Sequence, residues 1–138
     1  MVLLGSITGK YIYKNYNYSK EVFNEDNNLY FLQQGVYTNK DVLEESTKKI
    51  NPKTIIKEDN KYYVYVGITK SNSIKNKLLS LYKKQGINVY LKKINIKDNS
   101  FVDNIKQFDI LINKASDTEI IKVEEVVLSS YEEYLQNS

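Results

Sequence analysis

Leu29-Tyr30-Phe31-Leu32-Gln33-Gln34-Gly35-Val36-Tyr37 and Tyr62-Tyr63-Val64-Tyr65-Val66-Gly67 decide the fold, because the second repeats the aromatic–aliphatic–Gly pattern of the first. A slide of 32 residues sets Phe31 on Tyr63, Leu32 on Val64 and Gly35 on Gly67. Self-similarity at a fixed period marks a repeated supersecondary unit. Each unit runs from an aromatic-rich strand through a Gly and a Thr/Asn/Ser turn into a helical stretch. A shorter second strand follows, at Lys53 to Lys57 in the first unit and Asn88 to Ile96 in the second.

The punctuation supports that order. Thr38 stands three residues before Asp41, a capping-box-like helix start. Val42, Leu43, Thr47 and Ile50 then fall near one side, and Pro52 stops the helix. Ser71 and Ser73 offer caps for the second helix, which carries Ile74, Leu78, Leu81 and Tyr82 on one side. Gly86 ends it as the residue just past the cap. Glu58-Asp59-Asn60-Lys61 joins the inner strands as a tight hairpin turn. The order is βαββαβ across residues 29–97. This predicts an α+β fold of the ferredoxin/RNP-like kind, a four-stranded antiparallel sheet with two helices on one face. The second face is expected to stand open, and an open sheet face calls for a ligand or partner.

Residues 98–138 change period. Asn99 and Ser100 can cap a helix bearing Phe101, Ile105, Phe108 and Ile112. Ser116-Asp117-Thr118-Glu119 is a capping box opening a helix with Ile120, Val123, Val127, Tyr131 and Tyr134 on a stripe. The pair reads as a C-terminal helical hairpin whose default is to pack on its own domain. Residues 1–28 read as an N-terminal segment and linker. Val2, Leu3, Leu4 and Ile7 are too short a run to cross a bilayer, which needs about 20 residues. They read as the clipped end of a membrane anchor or, equally, as a chain start or small strand.

Composition narrows the chemistry. No Cys and no His occur among the 138 residues, which excludes disulfides, thiolate or imidazole metal sites and histidine-dependent nucleophiles. No cofactor or metal is expected. All 20 basic residues are Lys, and Tyr outnumbers Phe 13 to 4. The Tyr excess has two sources of equal weight, an AT-rich codon bias and a surface that needs rings with hydroxyls. Residues 29–97 hold 14 Lys and 5 acids, whereas 98–138 hold 3 Lys and 9 acids. The basic stretch suits a polyanion or, at least equally, a solvated surface partly neutralised by its own tail.

The two strand motifs, Phe31-Leu32-Gln33-Gln34-Gly35-Val36-Tyr37 and Tyr62-Tyr63-Val64-Tyr65-Val66-Gly67, resemble those of SPOR (sporulation-related repeat) domains. Gly86-Ile87-Asn88-Val89-Tyr90-Leu91 is similar to that family's closing segment. The likeness covers about half the chain and rests on the ordered pair of motifs. Tyr63 and Tyr65 stand where the family often has Arg, and Ile68-Thr69 where it often has Pro-Phe. The resemblance implies a binding module for peptidoglycan glycan strands, preferably denuded of stem peptides. It implies an extracytoplasmic place at the cell envelope, in cell division, sporulation or wall remodelling. Envelope or sporulation proteins are further partners. Membrane contact would come only through an N-terminal anchor outside this chain.

Strand alternation then nominates the contacts. Leu32, Val64, Val66, Val89 and Leu91 should face the helices. Phe31, Gln33, Tyr63, Tyr65, Tyr90 and Lys92 are left for the open face, with Tyr63 and Tyr65 expected to be largely solvent-accessible. Rings can stack on sugars, Gln33 both donates and accepts, and Lys92 can meet a carboxylate. Combining Tyr65→Ala with Gln33→Ala is expected to abolish wall binding with the fold intact. Gln34 disturbs the pattern, since strict alternation puts it on the buried face.

An enzyme is not expected. Glu124-Glu125 and Glu132-Glu133 read as parts of a solvated helix face, and no Gly-rich phosphate loop is present. The main rival is an RNA-binding RNP-like domain, which shares the strand order, aromatics and basic charge. Its characteristic Arg/Lys-Gly-Phe/Tyr-Gly-Phe pattern is absent, and no nucleic-acid partner is expected. The second rival is a protein-interaction module of a membrane-anchored complex, with the hairpin as contact.

Overall fold

The computed structural model describes Ile12–Tyr13 and residues 27–137. The elements run β1 (Ile12–Tyr13), β2 (Asn28–Tyr37), α1 (Lys40–Thr47), β3 (Thr54–Glu58), β4 (Lys61–Thr69), α2 (Asn72–Lys84), β5 (Tyr90–Asn95), α3 (Asn99–Asn113) and α4 (Asp117–Asn137). The sheet order is β1-β3-β4-β2-β5. Its four-stranded antiparallel part, β3-β4-β2-β5, has the expected βαββαβ connectivity. β1 adds a short parallel strand beside β3, pairing Ile12 with Ile56. The small-strand alternative for residues 2–7 and the anchor reading of residues 1–9 lie outside the described residues. No described helix is long and apolar enough to cross a membrane.

Local signals act largely as anticipated. Asp59 and Asn60 both take positive φ, 54° and 63°, which fits a two-residue turn whose twist matches the flanking strands. Ser71 caps α2 by accepting from the Ile74 N–H. Gly86 has φ 76°, and its N–H and that of Ile87 donate to the Lys83 and Tyr82 carbonyls, a complete Schellman ending. Ser116 and Glu119 bond reciprocally at 2.9 and 3.4 Å, closing the capping box of α4. Two caps fall one residue away from expectation. Asn39, not Thr38, caps α1, and Asp98, not Asn99 or Ser100, caps α3, accepting from both Ser100 and Phe101. An Asx side chain reaches the free N–H groups of the first turn at least as well as a hydroxyl.

The expectation of an open sheet face is overturned. α1 and α2 cover one side, where Leu43 meets Ile55 and Val64, and Ile74 and Leu78 meet Leu32 and Val66. α3 and α4 fold back over the other side. Phe101, Val102, Ile105, Val127, Leu128, Tyr131 and Leu135 form one buried cluster with Leu29, Phe31, Ile56, Tyr65 and Ile68. The reason is the strand composition itself. Leu29, Phe31, Ile56 and Ile68 would otherwise expose a contiguous apolar sheet, and the stripes of two amphipathic helices need the same shelter. The hairpin packs on its own domain, as was the default, and in doing so occupies half of the proposed binding face.

The carboxylates of α4 depart from expectation as well. Glu124 and Glu132 are buried, not solvated. β3 begins at Thr54, opposite Tyr65, so among the described residues no strand pairs with the last residues of β4 on that side. α4 lies there instead. The Ile68 N–H donates to Glu124 Oε1 at 3.0 Å, and the Tyr82 hydroxyl donates to the Val66 carbonyl at 2.6 Å. Side chains thus satisfy backbone groups that a longer β3 would have paired.

Candidate functional site

Six residues were nominated, and the structure divides them. Phe31 is fully buried and Tyr65 nearly so, at 0% and 3% exposure. The Phe31 ring packs edge-on against Tyr65 and Tyr131, with centroids 5.3 and 5.0 Å away. Neither ring can stack on a ligand, so both are core residues, and the expected accessibility of Tyr65 is corrected. Tyr65→Ala would hollow the core and cannot leave the fold intact. Gln33, Tyr63 and Lys92 are half-buried, and Tyr90 is 64% exposed.

The four that remain lie on the same sheet face, with Tyr63 packed against the margin of the cluster that α3 and α4 close. Gln33 is flanked by Tyr65 on β4 and Tyr90 on the edge strand β5. Tyr63 lies opposite Val36, which is itself 42% exposed. Lys92 leans across this strip. Its ammonium stands 4.6 Å from the Tyr63 ring centroid and 5.9 Å from that of Tyr65, and it donates to the Tyr65 hydroxyl at 3.3 Å. Tyr63 and Tyr65 lie near-parallel, 6.5 Å apart. Burial raises the Tyr65 phenol well above its usual range, with the Glu58 carboxylate adding to the effect, so its oxygen stays neutral and accepts. Tyr63 and Tyr65 therefore position the Lys92 charge, while Tyr90 and Gln33 offer a free ring and an amide. Each cation–ring contact of this kind contributes about 0.5–1 kcal/mol at exposed sites.

Two bulges make this geometry. The β2–β4 register jumps at Gln34 and at Val66, leaving each without a direct partner. Both stand immediately before a Gly. A side chain at Gly35 would come within 3.0 Å of the Tyr37 ring, and one at Gly67 within 3.0 Å of Glu124 Oε1. At either position the neighbouring side chain would have to give by a few tenths of an ångström to admit a Cβ, so glycine suits the close approach. The bulge also resolves the Gln34 difficulty. An extra residue steps out of the alternation, and Gln34 accepts a bond from the Tyr37 hydroxyl at 3.0 Å.

Sequence reasoning missed a second set of polar residues, on the hairpin. Asp109 of α3 accepts from the Thr69 hydroxyl at 2.6 Å and the Lys70 N–H at 3.0 Å. Glu132 accepts from the Thr54 hydroxyl. Burial pushes Asp109 and Glu132 above the usual carboxylate range against the pull of those bonds. Glu124 is wholly buried, and desolvation pushes it up to about 8. Its Oε2 has no hydrogen-bond partner among the described residues. Only the break in polarity that Glu124 and Glu132 make on the apolar stripe of α4 could have flagged them. Among the described residues no group of His, Cys, Asp or Glu could hold a metal ion.

No family model matches the sequence, and no curated protein matches it. Among solved structures the chain is similar to the solution structure of the peptidoglycan binding domain of the B. subtilis cell wall lytic enzyme CwlC. The identity is 18% and the TM-score 0.41, over 56% of this chain and 100% of that one. At that level the likeness carries no argument about what this chain binds.

Proposed function

We propose that the chain is a non-enzymatic module that binds peptidoglycan glycan strands at the bacterial cell envelope, in division, sporulation or wall remodelling, through the uncovered half of its sheet face. The observation that carries this reading is the strip Gln33–Tyr90–Lys92, in which an open ring, an amide and a positioned ammonium sit side by side. Tyr90 stacks on the apolar face of a sugar. Gln33 bonds hydroxyl or acetamido groups. Lys92 meets the lactyl carboxylate freed when the stem peptide is removed. Each polar contact adds only about 0.5–1.5 kcal/mol net, so affinity is modest and several sugars are engaged at once. The paired strand motifs that resemble SPOR domains supply the choice of polymer.

The buried carboxylates favour a binding role over catalysis, because each is committed to holding the hairpin on the sheet and none opens to a cleft. The test is co-sedimentation with purified sacculi before and after amidase treatment. Amidase should increase binding. Tyr90→Ala combined with Gln33→Ala should reduce binding to treated sacculi at least tenfold with an unchanged melting curve. Undiminished binding by that variant would overturn the reading.

A further inference from the structure

Lysine is concentrated on one edge of the molecule. Residues 70–97, which comprise α2, β5 and their connections, hold 8 Lys and no Asp or Glu. Six of the nine acids of residues 98–138 lie on α4, and α4 packs over β4 and β3. β5 is the opposite edge of the sheet. Asp109 of α3 meets the Lys70 N–H, and Asp117 and Glu125 of α4 line a hollow with Leu81 and Gln85, so the tail's acids reach the two ends of α2, while β5 carries Lys92 and Lys93 at the side of the sheet away from α4.

The edge has an internal arrangement. Tyr30 of β2 lies on the α2 side of the sheet. The ammonium of Lys75, from the first turns of α2, is 5.0 Å from the centroid of its ring, and that of Lys93, from β5, is 5.7 Å away. Two like charges gathered about one half-buried ring repel each other, and the ring offsets that only in part. An anion placed between them relieves the repulsion. Lys92 repeats the arrangement with Tyr63 on the other side of β5, so cation–ring clusters stand on both faces of the edge strand.

We infer that the α2–β5 edge is a second contact surface, which takes a linear anionic wall polymer carrying phosphodiester groups, through Lys75 and Lys93 about Tyr30. Two features favour this polymer over single-stranded nucleic acid. Nucleic-acid grooves of that kind need a series of rings with free faces on which successive bases stack, whereas Tyr30 and Tyr63 hold ammonium groups against theirs and leave Tyr90 as the single open ring of the three. The chain also has no Arg, so it lacks the planar fork that reads bases and grips phosphate bidentately, and offers point charges suited to diffuse attraction. The choice of a wall polymer as the source of phosphate rests on the envelope reading above.

The experiment compares Gram-positive walls bearing phosphodiester polymer with the same walls after hydrofluoric acid extraction, using the full chain across a salt series. Wild type should bind the intact walls about tenfold more tightly at low salt, with the difference closing as salt rises. Lys75→Gln combined with Lys93→Gln should lower the logarithmic salt slope by roughly two and erase the preference. Tyr90→Ala combined with Gln33→Ala should keep it. A preference that survives the lysine changes overturns the inference, as does its absence in wild type or tighter binding of a single-stranded RNA 20-mer. Undiminished binding of extracted, amidase-treated walls by the Tyr90/Gln33 variant would instead remove the glycan reading and leave the edge standing.

Discussion

Gln33 and Tyr65 are register partners that lie on the axis relating the two halves of the sheet. Moving 32 residues along the chain turns one into the other, and the same shift exchanges the pairs on either side. Leu32↔Gly67 becomes Val64↔Gly35, and Phe31↔Ile68 becomes Tyr63↔Val36. The bulges obey it too, since Gln34 maps on Val66. β3 and β5 are equivalent in the same sense, with Thr54 beside Tyr65 as Tyr90 is beside Gln33. The C-terminal hairpin breaks the equivalence. It buries Phe31 and Thr54 and leaves their counterparts Tyr63 and Tyr90 at least partly open. A symmetric repeat thereby acquires one covered side and one partly open side.

Truncating the equivalent rings should reveal that asymmetry. Phe31→Ala is expected to cost about 3–5 kcal/mol, the usual range for a buried aromatic. Tyr63→Ala removes a half-buried ring and should cost about 1–2 kcal/mol. Urea denaturation of the two variants measures both. Equal losses would mean that the hairpin does not discriminate between the halves.

Most of the fold was legible because it rests on short-range signals. The repeat, the Asp59-Asn60 turn, the Ser71 cap, the Gly86 ending and the Ser116–Glu119 box each depend on neighbours within a few positions. The site was legible only in part. Alternation correctly grouped Phe31, Gln33, Tyr63, Tyr65, Tyr90 and Lys92 on one face. Whether that face meets water or protein is decided by where Phe101 and Tyr131 dock, a contact between residues 70 to 100 positions away. The bulge at Gln34 left a local trace in the misplaced polar residue. The burial of Glu124 left almost none, because its cause is that β3 stops short of Ile68.

Removing the hairpin tests what it shelters. A chain ending at Lys97 would bare Leu29, Phe31, Ile56 and Ile68, all at most 1% exposed in the intact protein. Such a patch drives association. The truncated chain is expected to bind a hydrophobic dye strongly and to elute as concentration-dependent oligomers on size exclusion. A soluble, dye-negative monomer would show that the sheet face tolerates water without α3 and α4.

The hairpin turn admits a gain in stability. Asn60 holds φ 63°, a left-handed conformation that L-residues other than Asn and Asp adopt at a cost of about 1–2 kcal/mol and that glycine adopts freely. Asn at this position already softens the cost. Asn60→Gly, giving the second turn position its preferred residue, should raise stability by about 0.5 kcal/mol. Thermal melts at constant pH decide the sign, and a lower midpoint would mean that the Asn side chain contributes more than its strain.

Glu124 should make stability depend on pH in a direction opposite to that of an ordinary salt-bridged carboxylate. Its ordinary value is 4.5, and desolvation, with the Asp109 charge adding and the Ile68 N–H bond opposing, raises it to about 8 in the folded protein. Unfolding releases the proton across that interval, so its contribution is fully present below pH 4.5 and declines as pH rises towards 8. The full swing is of order 5 kcal/mol if the group acts alone. Asp109 and Glu132 are shifted in the same direction and add to the slope. Glu124→Gln keeps the shape and an acceptor for the Ile68 N–H while removing the proton. Chemical denaturation between pH 5 and 9 should show wild type losing stability steadily, with the variant flatter and more stable above pH 8. Parallel curves for the two proteins would place the carboxyl in contact with water, and the account of α4 as the stand-in for a missing stretch of β3 would fall with it.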